Sequence, residues 1–154
     1  MAGAIENRLK ELGIELPDAA APAANYIPFQ LSNGLLYVSG QLPLLPGGPG
    51  FKGKVGADMD VETAQHAARS CAINILAQAK SALGDLDRIS QCLKLGGFVN
   101  ATQDFTDHPE VVNGASDLMV EVLGDKGRHT RFAVGAGSLP RGVAVEIDAL
   151  LAVS

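Results

Sequence analysis

The chain has 154 residues, the length of a single domain, and carries a net charge of −5 with its 12 basic residues scattered; that balance argues against a nucleic-acid partner, which needs clustered Lys and Arg. Hydrophobic residues make up 47%, many of them Ala, Val and Leu with no Trp, while 18 Gly and 8 Pro are too many for a plain helical bundle. No apolar run reaches membrane-spanning length, the charged N-terminus does not read as a signal peptide, and Cys71 and Cys92 form no CxxC, so a cytoplasmic chain with free buried thiols is expected.

In chain order, Ile5, Leu9 and Leu12 share one face and Gly13 stops the pattern, which predicts a short amphipathic helix over 4–12. PDAAAPAAN (17–25) is a connector without periodicity, too short to separate domains. Asn33-Gly34 between two apolar runs predicts a hairpin, with strands at about 27–31 and 35–40. PLLPGGPGFKG (43–53) reads as an irregular loop, ending in a brief strand near Lys54. Asp60 is a good N-cap, and Ala64, Ala68, Cys71, Ile75, Ala79 and Leu83 repeat at helical spacing, predicting a long helix over 61–83. A strand follows at about 89–100 and a second helix at 109–123, ended by Gly124. Strands at 131–137 and 143–153 finish the chain, joined by the turn Ser138–Gly142. This order predicts one α/β (α+β) domain over 1–154, with 1–25 as N-terminal helix and connector: a mixed sheet covered by two helices on one face.

Several chemistries have no motif here. There is no GxGxxG or phosphate loop, no GxSxG nucleophile, and His66, His108 and His129 are isolated rather than paired at metal-ligand spacing. His66 reads as a polar-face residue, His108 as a cap and His129 as a surface residue, with lining the same site as Arg131, two residues on, as the alternative; both cysteines read as core.

What remains is charge inside apolar strands: Arg131 in HTRFAVGAG and Glu146 in GVAVEIDALLAV. Both could simply face solvent on the open side of the sheet, which is the reading adopted for Asp148. If 131–137 and 143–153 form a hairpin, Glu146 pairs with Gly135 and parity puts Arg131 and Ala133 on its face. Arg131 would then stand roughly 13 Å along the strand, with room for a small ligand and a water between the two charges. A bulge at Leu139 would reverse that parity.

YVSGQLPL (37–44), the helix beginning VETAQHAAR, and TRFAVGAGSLPRGVAVEIDALLAV (130–153) with its R-x7-LP-x5-EIDA spacing resemble the RidA/YjgF family, also filed as endoribonuclease L-PSP proteins. The resemblance covers nearly the whole chain from Tyr26 onward and points to the family's longer branch. It implies a chorismate-mutase-like fold, a homotrimer with ligand sites between subunits, and hydrolysis of reactive 2-imino acids or enamines to 2-keto acids and ammonia, with no metal or cofactor. By the same resemblance Arg131 grips the substrate carboxylate and Glu146 holds the attacking water. Tyr26 lines the cleft, and Ser39 and Gly40 contribute a backbone contact. Ala133 stands where cysteine is frequent, and Gln103 where deaminases have asparagine. The partner implied is a small carboxylate metabolite. Two other readings stay open: a non-catalytic module that senses keto acids or amino-acid metabolites, and a ribonuclease, which the acidic composition disfavours.

Overall fold

The computed structural model describes residues 3–22 and 24–154. Met1, Ala2 and Ala23, the last within the expected connector, lie outside the described residues. Helix α1 (Ala4–Glu11) buries Ile5 and Leu9 against the helical layer. Its first backbone amides are capped from a distance: Ala4 N and Ile5 N donate to the Asp87 carboxylate at 2.9 and 3.0 Å. Those two bonds hold Asp87 below the usual carboxylate range. Arg8 Nε adds a bond to the Glu121 carbonyl. These bonds tie the N-terminal helix to Asp87 and to the Glu121 backbone.

Strands β1 (Phe29–Ser32) and β2 (Leu35–Gln41) form the predicted hairpin. Asn33 and Gly34 both have positive φ, 52° and 75°, which a two-residue turn of the hairpin hand requires. The loop after β2 contains a two-residue pair, β3 (Leu44–Leu45) and β4 (Gly48–Pro49), where only irregular backbone was expected. No strand forms near Lys54. Single bridges at Lys52 and Val55 stand there instead, and Lys54 Nζ donates to Asn100 Oδ1 at 2.8 Å and the Gly137 carbonyl at 2.7 Å.

Helix α2 (Val61–Leu83) starts at Asp60, whose carboxylate accepts from Thr63 N at 2.8 Å, and ends at Gly84 with φ 77°. Strand β5 (Ile89–Asn100), helix α3 (His108–Leu123), strand β6 (Thr130–Ala136) and strand β7 (Val145–Val153) complete the order. Both long helices cover one face of a five-stranded sheet. The dry layer between holds Leu36, Leu95, Ile147 and Leu151 from the strands with Ile75, Leu76, Leu118 and Met119 from the helices. This is the expected mixed α+β architecture.

The pairing of the last strands is not the expected one. The sheet order is β1-β2-β7-β5-β6, so β5 lies between β6 and β7. It runs parallel to β6 and antiparallel to β7. Glu146 pairs with Phe98, and Phe98 pairs with Val134. Arg131, paired with Leu95, therefore has the opposite parity from Glu146. The predicted hairpin does not form because β5 takes the place between its two strands; Pro140–Gly142 is a turn in which Arg141 takes a left-handed φ of 58°.

Where α3 crosses α2 the approach is set by Gly114: a β-carbon there would lie 2.1 Å from the Gln65 carbonyl oxygen. Gly114→Ala should therefore force the helices apart and lower stability by about 1–3 kcal/mol. Urea unfolding checks this, and a midpoint equal to the parent's would show that the crossing is not tight.

Candidate functional site

Four of the residues singled out in the sequence meet at a bulge in β2. Val38 pairs with Ala149 and Gln41 with Ile147, so Ser39 and Gly40 together stand opposite Asp148. The extra residue is braced from below. Buried Gln41 donates to the Ser39 carbonyl at 2.9 Å and accepts from Gln78 of α2 at 3.3 Å, while Gln78 also donates to the Ala20 carbonyl of the connector. Ser39 is tied to the segment before β1 by Ser39 N to the Pro28 carbonyl and Ser39 Oγ to the Ile27 carbonyl. Gly40 lies directly against Glu146: a β-carbon on it would fall 2.4 Å from Glu146 Oε2. A side chain at Gly40 would push the Glu146 carboxylate from its present place against the bulge.

Tyr26 and Gly40 line one cleft of about 320 Å³, walled by Leu42, Leu44 and Pro49 and bearing Arg141. Arg141 was not among the residues picked from sequence. The signal available was its place before Gly142 in the Leu-Pro turn, where it takes a left-handed φ of 58°.

Glu146 is half-buried on the sheet face that the helices leave open. Burial raises its proton affinity, and the Asp148 carboxylate two residues on raises it further. On the other side of β7, in the dry layer, Cys71 hydrogen-bonds to the Val145 carbonyl. Its thiol is pushed well above the usual range by burial and then by the charge of Glu146. Burial likewise pushes Cys92 up to about 12.

Arg131 lies on the helix face, at the sheet's β6 edge. Its Nη1 donates to Ser116 Oγ at 2.9 Å and its Nη2 to the Pro109 carbonyl at 3.2 Å, both on α3. Ala133 shares that face and packs on the core. Gln103 occupies a third place, a hollow of about 570 Å³ after β5 shared with Lys54, His108 and Gly135. One chain thus brings together Tyr26, Ser39, Gly40 and Glu146, and keeps Arg131, Ala133 and Gln103 apart from them. The placement of Arg131 and Glu146 on one face, expected from a hairpin, is overturned by the intervening β5.

His129 is not the surface residue expected. It is half-buried, with Nδ1 at 2.6 Å from the Gly127 carbonyl and Nε2 at 2.8 Å from Ser116 Oγ. His108 is the first residue of α3 rather than its cap, and its ring meets Phe105 edge-on at 5.5 Å and lies under Gly135. Among the described residues no group of three or more His, Cys, Asp or Glu could hold a metal ion, and no helix is long and apolar enough to cross a membrane.

Comparison with known proteins gives a consistent picture. Residues 6–147 match the family described as YjgF/chorismate mutase-like endoribonucleases. The chain is 48% identical over 151 residues to Protein TCP17 of Trypanosoma cruzi, spanning 97% of this chain and 94% of that protein. It is 31% identical over 134 residues to AldR of Lactococcus lactis, which bears a regulator's description, spanning 86% and 90% of the two chains. A crystal structure from Agrobacterium tumefaciens, of a protein of unknown function, superposes with a TM-score of 0.91 at 54% identity, covering 97% of this chain and 92% of that one.

The two thiols give a direct check on the geometry. Neither Cys71 nor Cys92 should react with a disulfide reagent at neutral pH in the folded protein, and both should react after unfolding. Rapid native labelling of either would contradict its burial.

Proposed function

The chain belongs to the YjgF/chorismate mutase-like family, and on that premise we propose that it hydrolyses reactive 2-imino acids, or their enamine tautomers, to 2-keto acids and ammonia in the cytoplasm. The observation that carries this reading is Glu146, a half-buried carboxylate of raised proton affinity held against the Gly40 backbone beside the Tyr26 cleft.

An imine carbon is already electrophilic, so the demands on the protein are modest: orient the carboxylate, place a water and move protons. Glu146 takes a proton from water as the water oxygen bonds to C2 of the protonated imine and the C=N pair moves onto nitrogen, giving a neutral carbinolamine. The Glu146 carboxyl then gives that proton to nitrogen and takes the hydroxyl proton as the C=O bond forms and the C–N bond breaks, so that the keto acid and ammonia leave and the ammonia carries off the last proton as ammonium. Arg131 holds the substrate carboxylate, a planar guanidinium fitting that bidentate task better than an ammonium. Tyr26 and the Ser39-Gly40 backbone line the side facing Glu146.

Since Arg131 and Glu146 lie on opposite faces, the proposed site needs a second copy of the chain, in a homotrimer with sites between subunits. The open face supports assembly: the cross-strand neighbours Phe98 and Val134 stand there 40% and 41% exposed, with Tyr37 49% exposed on β2, apolar surface of the kind that interfaces cover. Sedimentation equilibrium should give three times the chain mass of 15.9 kDa. A monomer would remove both the assembly and the shared site.

A second reading is favoured by the regulator's description of AldR: the same cleft would sense keto acids or related metabolites without turning them over. Kinetics with 2-iminopropanoate separate the two. Arg131→Ala should lower kcat/KM about a hundredfold or more, as loss of a charged hydrogen-bonding partner implies. Glu146→Gln should abolish turnover while keeping 2-oxobutyrate binding. Because the base acts only when deprotonated, wild-type activity should fall as pH drops through the raised Glu146 pKa, above the ordinary carboxylate range. Binding without any wild-type turnover would favour sensing, and full activity in Arg131→Ala would sink the hydrolase reading.

A further inference from the structure

The hydrogen bonds behind Arg131 allow their protons to be placed. The Gly127 carbonyl can only accept, so His129 Nδ1, 2.6 Å away, carries a hydrogen. In the neutral imidazole Nε2 is then an acceptor, and it takes the Ser116 hydroxyl hydrogen across 2.8 Å. The Ser116 oxygen keeps its lone pairs for Arg131 Nη1, at 2.9 Å. Every hydrogen bond in this line has one donor and one acceptor. Pro109 takes Nη2 from the same guanidinium. Two of the five guanidinium N–H donors are thereby bound to α3, and three remain for a ligand.

Ser116 is the one hydroxyl residue in α3. It sits in a helix interior, where serine is a poorer helix former than alanine because its hydroxyl competes for the backbone. Here the hydroxyl is directed away from its own helix, toward His129 and Arg131. His129 stands just before β6 and Arg131 at its second residue, and both reach Ser116 on α3.

The geometry points to Ser116 and His129 as positioning residues for Arg131: a relay that fixes the guanidinium before a ligand carboxylate arrives, and so sets affinity for that carboxylate. This rests on Arg131 being the carboxylate anchor. A side chain locked in advance loses less freedom on binding, and the gain is in affinity rather than in the chemical step.

The test compares wild type with Ser116→Ala, Ser116→Thr, His129→Ala and Arg131→Ala, and adds the Ser116→Ala/Arg131→Ala double variant. Each is read by calorimetric titration with 2-oxobutyrate and by kinetics with 2-iminopropanoate, below its own thermal midpoint. Ser116→Ala should weaken 2-oxobutyrate binding and raise KM about tenfold, the effect of one hydrogen bond to a charged group, with kcat within about twofold. Ser116→Thr keeps the hydroxyl and should restore both values. His129→Ala should fall in the same direction, and the double variant should bind no more weakly than Arg131→Ala alone. Unchanged KM and binding in Ser116→Ala would overturn the relay, as would a Ser116→Thr variant no better than the alanine. If Arg131→Ala is weak while Ser116→Ala is normal, only the relay fails. If Arg131→Ala binds and turns over like wild type, the anchor fails and the relay with it. The binding arm is read without turnover, so a chain that only senses its ligand still decides the relay.

Discussion

Strand β5 is hydrogen-bonded along both edges, and its two partners run in opposite senses. Most of the site's geography follows from that. A parallel neighbour cannot be reached by a tight turn, so the chain must cross over between β5 and β6. The crossover is α3, which is why Arg131 at the start of β6 has helix backbone and a serine hydroxyl beneath it. The antiparallel partner β7 lies on the other edge and offers Glu146 to the open face. The parity of a single strand thus decides which charges can share a pocket within one chain.

On the opposite side of the sheet the bulge at Ser39-Gly40 has a comparable role at shorter range. A regular ladder would give Glu146 a neighbour with a side chain. The extra residue and the missing β-carbon open a recess instead, and the buried amides of Gln41 and Gln78 keep it from relaxing. β7 also divides two environments. Its odd positions meet the dry helical layer, where burial pushes the Cys71 thiol well above its usual range, and its even positions carry Glu146 and Asp148 toward the open face.

Local signals were legible in the sequence because their causes are local. Asn33-Gly34 marks a turn through its own backbone preferences. Asp60 and Gly84 bound α2 through capping and a positive φ, and alternation in 145–153 names the buried face of β7 unaided. The partner of a strand is a different kind of fact. Nothing within 131–153 records that β5, more than thirty residues upstream, would insert between its two strands, so adjacency in sequence was read as adjacency in space. Arg131 and Glu146 were found because charge in an apolar strand is conspicuous. Ser116 escaped because a lone hydroxyl in a helix carries no such contrast, and His129, marked only by standing two residues before Arg131, was read as a surface residue; only the crossover brings both under the arginine. The hollow holding Gln103 shows the same limit from the other side, since a polar residue in a loop has no periodicity to fix its direction.

Placing Arg131 and Glu146 on opposite faces has a consequence for inheritance as well as for chemistry. On the proposed reading each site borrows one charge from each of two chains. A chain damaged only at the arginine and a chain damaged only at the glutamate are then not equally dead in company. Where their intact halves meet, a whole site is rebuilt, so two such lesions carried in trans would partly compensate, whereas the same two on a single chain could not.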